Sequence, residues 1–137
     1  MKADKLPEKP NFSCDIPLRW GDMDAFWQVS STRYLRYCEE ARFQWLSRAG
    51  ITLAADSYPV VVTVGCTFLR PVVYPATLRI DCYAAEPGRS SFVAYYRLYT
   101  TDNLEQPCAE AHSKVVWVGA DGKSRPLPDS VRAWFAS

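Results

Sequence analysis

The sequence predicts an α+β domain: one long, mostly buried helix against a curled, five-stranded antiparallel sheet. Three observations carry this. Residues 30–50 place apolar side chains at steps of three and four, the period of a helix with one buried face. After that helix the period changes to two in four long segments, which marks strands. Tight turn sequences separate those segments, as an antiparallel meander requires. One buried helix on one sheet is an α+β architecture.

The elements follow in order. Residues 1–12 are charged and contain prolines, and read as a flexible lead-in to a single domain over residues 13–137. Residues 13–20 read as the first strand, with Cys14, Ile16 and Leu18 on one face. Residues 21–29 have a glycine, two aspartates and no clean period, so they form a loop. Ser30, Ser31 and Thr32 are a helix-capping cluster. Tyr34, Cys38, Ala41, Trp45 and Ala49 then make the buried stripe, widened by Leu35, Phe43 and Leu46. Arg36 with Glu40, and Glu39 with Arg42, have the spacing of exposed pairs. Gly50 supplies the stop.

Residues 60–69 alternate, with Val62, Val64, Cys66 and Phe68 on one face and Thr63, Gly65 and Thr67 on the other. Residues 77–85 alternate with Leu78, Ile80, Cys82 and Ala84 inward. Residues 86–90 are a turn, 92–100 a strand, 102–105 a turn and 108–118 the last strand. Asp129 caps a short final helix carrying Val131, Trp134 and Phe135.

Composition excludes several classes. The chain has 137 residues, the size of one domain. With 48% hydrophobic residues it is not a disordered chain. A net charge of +1 supplies no field for nucleic acid or an anionic membrane, and no apolar run approaches the ~20 residues of a membrane helix. The expected partners therefore include neither. Cys14, Cys38, Cys66, Cys82 and Cys108 lack metal-ligand spacing, and one histidine, His112, cannot complete a Cys/His site. No metal or cofactor is expected. Five thiols, an odd number, and a charged start without an apolar leader point to a reduced, cytoplasmic setting. The cysteines read as small core hydrophobes, and His112, opposite the Ala111/Ser113 face, as an ordinary strand histidine.

Chemistry concentrates in the loop before the helix. Asp22 and Asp24 stand one residue apart just ahead of a helix start. A helix start offers unpaired N–H donors and a partial positive charge, suited to an oxyanion. An aspartate beside it can attack a carbonyl or activate water. From spacing alone a second reading stays open, in which both aspartates satisfy backbone donors in a turn.

The run Trp20-Gly21-Asp22-Met23-Asp24 is followed by Tyr34-Leu35-Arg36-Tyr37-Cys38-Glu39-Glu40-Ala41-Arg42. Phe68-Leu69-Arg70-Pro71-Val72 and Gly88-Arg89-Ser90-Ser91-Phe92 come after it in order. Together these resemble the hotdog-fold acyl-CoA thioesterases of the 4-hydroxybenzoyl-CoA thioesterase type. The resemblance spans about residues 13–118. It implies a long helix wrapped by the sheet, a homodimer or homotetramer, and an active site at the dimer interface. It also implies a coenzyme A or acyl-carrier thioester as substrate and hydrolysis as the reaction.

Carried over residue by residue, the resemblance places the catalytic carboxylate on Asp24 and the oxyanion contact on the backbone N–H at Ser31. Asp22 becomes a structural residue. Tyr34 and Tyr37 come near the pocket, although an aromatic on a helix is more often a core residue than a site residue. Arg89 falls where relatives set basic residues against coenzyme A phosphates; the plain reading is a solvated turn arginine. Many relatives carry glycine and histidine at Trp27 and Gln28, and two asparagines at Ser30 and Ser31. Tryptophan removes the freedom glycine gives a loop, and glutamine cannot shuttle a proton near neutral pH. Trp27 either narrows the pocket, stacks on an acyl group, or fills a core gap. These departures motivate an alternative: a hotdog protein that binds an acyl or aryl thioester without turning it over. The 5 Trp, 8 Tyr and 6 Phe are more apolar surface than a small monomer readily hides, which independently favours association.

Overall fold

A computed structural model of the chain describes residues 6–52 and 56–136. Residues 1–5 of the expected lead-in lie outside them. The strands are β1 (Phe12–Pro17), β2 (Ser57–Phe68), β3 (Thr77–Ala85), β4 (Ser91–Thr100) and β5 (Ala109–Gly119). The helices are α1 (Tyr34–Arg48), between β1 and β2, and α2 (Asp129–Arg132), at the end. All five strands pair antiparallel in one sheet of order β1-β3-β4-β5-β2. The long helix lies on the sheet's inner face. This is the hotdog arrangement.

The core sits between α1 and the sheet. Helix α1 buries Tyr34, Tyr37, Cys38, Ala41, Trp45 and Leu46. The sheet meets them with Leu78, Ile80 and Cys82 of β3, Phe92, Tyr96 and Leu98 of β4, and Ala111, Val115 and Trp117 of β5. Each fully buried large side chain contributes roughly 1.5–3 kcal/mol of hydrophobic free energy. Trp134, just past α2, stacks on Trp45 with ring centroids 4.5 Å apart and closes one end of the core.

Helix α1 ends as the sequence predicts. Gly50 takes a φ of 81°. Its N–H bonds the Ser47 carbonyl, and the Ile51 N–H the Leu46 carbonyl, each at 3.0 Å. These two bonds satisfy the last-turn carbonyls in a Schellman motif. The helix start is less regular: residues Ser31–Arg33 form a 3-10 turn, and α-helix begins at Tyr34.

Several expectations are corrected. The first strand spans residues 12–17, and Trp20–Asp22 turn into a 3-10 helix. Phe43 does not widen the buried stripe; it is 56% exposed. Arg42 takes an inward place instead, donating to the Tyr96 hydroxyl at 3.3 Å, which itself pairs with Ser113 Oγ at 2.8 Å. Glu39 pairs with Arg36, and Glu40 with Arg19. The buried face of the helix therefore includes Arg42 in place of Phe43.

The alternation along β2 breaks at Val62. The pairing with β5 steps from Val61↔Val115 to Thr63↔Lys114, leaving Val62 as an extra residue. Val64, Cys66 and Phe68 pair with Ser113, Ala111 and Ala109, all buried, so they share the inner face as expected. Yet Val64 and Phe68 stay half exposed. β2 is an edge strand, and although the Phe68 ring meets Tyr34, both side chains stay half open among the described residues.

His112 is half-buried. It pairs with Gly65, and a side chain on that glycine would collide with its ring. Tyr95 lies beside it, with ring centroids 6.1 Å apart. It is an ordinary strand histidine. All five cysteines are free thiols: Cys38, Cys82 and Cys108 are buried and Cys14 and Cys66 half-buried. Among the described residues no helix is long and apolar enough to cross a membrane.

Candidate active site

The loop between β1 and α1 is a closed, hydrogen-bonded structure. Met23 and Val29 form a β-bridge, and the Ser30 N–H bonds the Asp22 carbonyl at 2.9 Å. The Val29 N–H bonds the Val72 carbonyl at 2.9 Å, fastening the loop to the segment after β2. Residues 24–28 form the tip. The Asp24 N–H bonds the Gln28 carbonyl at 2.7 Å. In return Asp24 Oδ1 accepts the N–H groups of Phe26 and Gln28 at 2.8 and 3.2 Å.

This anchoring uses one carboxylate oxygen. Asp24 Oδ2 makes no hydrogen bond among the described residues, and the side chain is exposed. One oxygen is held and the other is free to react, which is what a positioned base or nucleophile requires. Asp22 differs. It is 9% exposed, and its Oδ2 accepts the Tyr37 hydroxyl at 2.7 Å and Arg19 Nε at 3.1 Å. Arg33 Nε lies 3.7 Å from Oδ1. Asp22 locks the loop to α1.

Trp27 adopts a φ of 62°, so tryptophan does not prevent the left-handed conformation that glycine would take freely. For a residue with a side chain that conformation costs roughly 1–2 kcal/mol. The Trp27 N–H bonds the Asp24 carbonyl at 3.1 Å, and its ring packs edge-on against Trp20 at 6.4 Å. The turn that presents Asp24 therefore imposes the strain.

Asp24, Gln28, Ser31 and Tyr34 line one open cleft of about 420 Å³. Val29 and the segment Phe68, Leu69, Arg70 and Pro71 complete it. Ser30, the residue capping the turn before α1, makes no side-chain cap bond; its Oγ meets Thr32 Oγ1 at 3.0 Å. The first N–H groups of that turn, Ser31's among them, are thus not capped by Ser30. The Tyr34 ring is 3% exposed and meets Phe68 edge-on at 5.1 Å. Burial pushes its phenol up to about 12; neighbouring thiols and Asp24 add to the rise, and Arg70 opposes it.

Trp27 and Arg89 do not line this cleft. Arg89 is exposed in the turn between β3 and β4, where its Nη1 donates to Ser90 Oγ at 3.3 Å. Its carbonyl accepts from Arg132 Nη2 at 3.1 Å. Phe68, Leu69, Arg70 and Pro71 are cleft residues to which the sequence reading gave no role. The Arg70-Pro71 break in the strand pattern was their signal, since a strand that stops beside a loop leaves its last side chains facing that loop. A larger hollow of about 630 Å³ on the other side of Asp22 is walled partly by the Arg19, Asp22 and Glu40 ion pairs. Its carboxylates are engaged, so it is the poorer place for chemistry.

Comparison with known proteins bears on the fold and the family. Residues 18–135 match the family model described as the thioesterase-like superfamily. The chain is 26% identical over 132 residues to a chloroplastic acyl-acyl carrier protein thioesterase of Arabidopsis thaliana, covering 88% of this chain and 66% of the plant protein. It is 28% identical over 125 residues to a 1,4-dihydroxy-2-naphthoyl-CoA hydrolase of Synechococcus elongatus, covering 86% of this chain and 90% of that protein. Among solved structures it is similar to the PA2801 protein of Pseudomonas aeruginosa, a thioesterase candidate. That match has 43% identity and a TM-score of 0.90, and covers 93% of this chain and 100% of that one. The chain belongs to the thioesterase-like superfamily, and thioester hydrolysis is the enzyme class this membership assigns to it.

Proposed function

We propose that the chain hydrolyses an acyl thioester of coenzyme A or of an acyl-carrier protein, with Asp24 as nucleophile or general base. The observation that carries this is the convergence of Asp24, Gln28, Ser31 and Tyr34 on one cleft. Thioester carbonyls are weakly resonance-stabilised, so a carboxylate and oriented donors suffice. Asp24 Oδ2 attacks the carbonyl carbon directly, or takes a proton from the water that does. The negative oxygen that forms lies at the Ser31 N–H, where the start of the helix adds partial positive charge. The sulfur leaves as the thiolate; on the direct route a water then hydrolyses the acyl–Asp24 anhydride, and on either route the acid is released and the carboxylate regenerated.

Gln28 and Tyr34 border the acyl group. Arg89 and Trp27, outside the cleft, are assigned to the outer parts of a long substrate, Arg89 to its phosphates. The named substrates of the relatives, an acyl-carrier thioester in one and an aromatic acyl-CoA in the other, are the first to try. The second fits the 4-hydroxybenzoyl-CoA thioesterase type. A cytoplasmic setting goes with five free thiols. The working unit is a homodimer or homotetramer: β2 is a twelve-residue edge strand whose Val62, Val64 and Phe68 are half exposed.

A panel of aliphatic and aromatic acyl thioesters, assayed on the parent and on Asp24→Asn, tests the reading. The variant is expected to lose two or more orders of magnitude in kcat, on the order of what removing a positioned base costs. A variant as fast as the parent removes Asp24 from the mechanism. Tight binding by the parent without turnover across the panel gives the binding-protein alternative instead.

A further inference from the structure

We infer that Tyr34 and Arg70 form a recognition pair at the floor of the cleft that selects acyl groups ending in a carboxylate. The inference rests on the thioester-hydrolase reading and names the substrate class of that same cleft.

Tyr34 is 3% exposed, yet its hydroxyl has no hydrogen-bond partner among the described residues. The ring is buried but the hydroxyl oxygen is not sealed from solvent, and Tyr34 borders the cleft, so the hydroxyl is open to a ligand there. Arg70 is half-buried beside it. Its Nη2 is fixed by Thr100 Oγ1 at 3.1 Å and the Gln106 carbonyl at 3.4 Å. Its Nε is sealed from solvent and so from a ligand, while Nη1 has no hydrogen-bond partner among the described residues. No carboxylate pairs with this guanidinium among the described residues. The charges of Arg70 and Asp24 both act on the Tyr34 hydroxyl, so the three groups share one neighbourhood.

The cleft therefore holds a guanidinium and a hydroxyl with donor capacity to spare. The one acid among its lining residues is Asp24, already held through Oδ1. A half-buried cation without a counter-ion is costly, and a carboxylate is the partner that guanidinium geometry fits best. Phe68, Leu69 and Pro71 supply apolar wall for the methylenes between that carboxylate and the thioester. A substrate carboxylate is repelled by Asp24, which places it at the Arg70 side and the thioester at the Asp24 side. A site built this way discriminates strongly against an analogue lacking the polar group, because its donors are then left unpaired.

The test compares hexanedioyl-CoA with hexanoyl-CoA, which differ only in the terminal carboxylate. Binding of each to Asp24→Asn protein, measured by calorimetry, reads recognition without turnover. The dicarboxylic ligand is expected to bind at least about tenfold more tightly, the order of one charge-assisted hydrogen bond. Adding Tyr34→Phe or Arg70→Gln should bring the ratio of affinities close to one. Because Arg70 also ties Thr100 and Gln106, Tyr34→Phe, which keeps the ring against Phe68, reads the pair independently of any loosening there. Equal affinity for the two ligands overturns the inference, and so does a preference that survives both second substitutions. If the preference holds but the parent hydrolyses no thioester of the panel, the hydrolase reading fails and the recognition pair stands.

Discussion

The Tyr37 hydroxyl donates to Asp22 Oδ2 at 2.7 Å and accepts the Arg19 N–H at 3.0 Å. One fully buried phenol thus joins the first turn of α1 to Arg19, just past β1, and to the first aspartate of the loop. Tyr37→Phe removes the link and leaves a buried carboxylate and a backbone donor short of a partner. It should cost about 1–3 kcal/mol and lower the melting temperature by several degrees. Asp22→Ala should behave alike. Asp24→Ala, at an exposed tip, should melt near the parent while losing activity. Thermal melts of the three variants check this; equal destabilisation by both aspartate substitutions would contradict the division of labour.

The strained turn makes a separable prediction. Trp27 has a φ of 62° and a ring contact with Trp20. Trp27→Ala loses the contact, worth about 0.5–1.5 kcal/mol, and keeps the strain. Trp27→Gly loses the contact but relieves about 1–2 kcal/mol of strain, offset in part by the entropy of an unfolded glycine. The glycine variant should therefore be more stable than the alanine variant by about 1 kcal/mol, and close to the parent. Urea unfolding of the three proteins gives the order; an alanine variant at least as stable as the glycine one would show that the loop is not strained.

How far the sequence reached follows from the same loop. The two aspartates before a helix start were visible as text, but spacing alone did not separate them; only the resemblance set Asp22 apart as structural. Asp22 is buried because Tyr37, fifteen residues later, comes over it, a contact that only the packing of α1 on the sheet creates. The apolar period of β3 was legible because both of its neighbours are strands, and Leu78, Ile80, Cys82 and Ala84 are buried as expected. It failed on β2, where one bulged residue, Val62, shifts the pairing, and on α1, where Arg42 reaches Tyr96 inside the core. Arg70 was quoted for resemblance and given no role, since its neighbours Tyr34 and Thr100 are distant in sequence.

Alkaline conditions should unfold the protein early. Burial pushes the phenols of Tyr34 and Tyr96 from 10.0 up to about 12. It pushes the half-buried thiols of Cys14 and Cys66 from 9.0 up to about 11. These groups are neutral when protonated, so the folded chain holds protons that the unfolded chain has begun to release. Their contribution is fully present below pH 9, starts to fall as the thiols of the unfolded chain ionise, and is lost as pH rises toward 12. Urea midpoints should drop steadily between about pH 8 and about pH 11, and phenolate absorbance should lag that of the unfolded chain. A flat midpoint over that range contradicts the burial of these groups.

The edge of β2 carries the last prediction. Val62 and Val64 are 56% and 51% exposed on a strand with no neighbour on one side. An unpaired edge with apolar side chains invites a second strand, and a second copy of the same strand satisfies it with twofold symmetry. Light scattering at micromolar protein should give a dimer or a tetramer. Val64→Lys places a charge in that seam while removing little from the single chain, where the side chain already meets solvent, so the chain itself should lose within about 0.5 kcal/mol. The variant should run as a smaller species and lose thioester hydrolysis in proportion, because the resemblance sets the site between two chains. A monomeric parent that still hydrolyses thioesters would show instead that the cleft around Asp24 is complete within one chain.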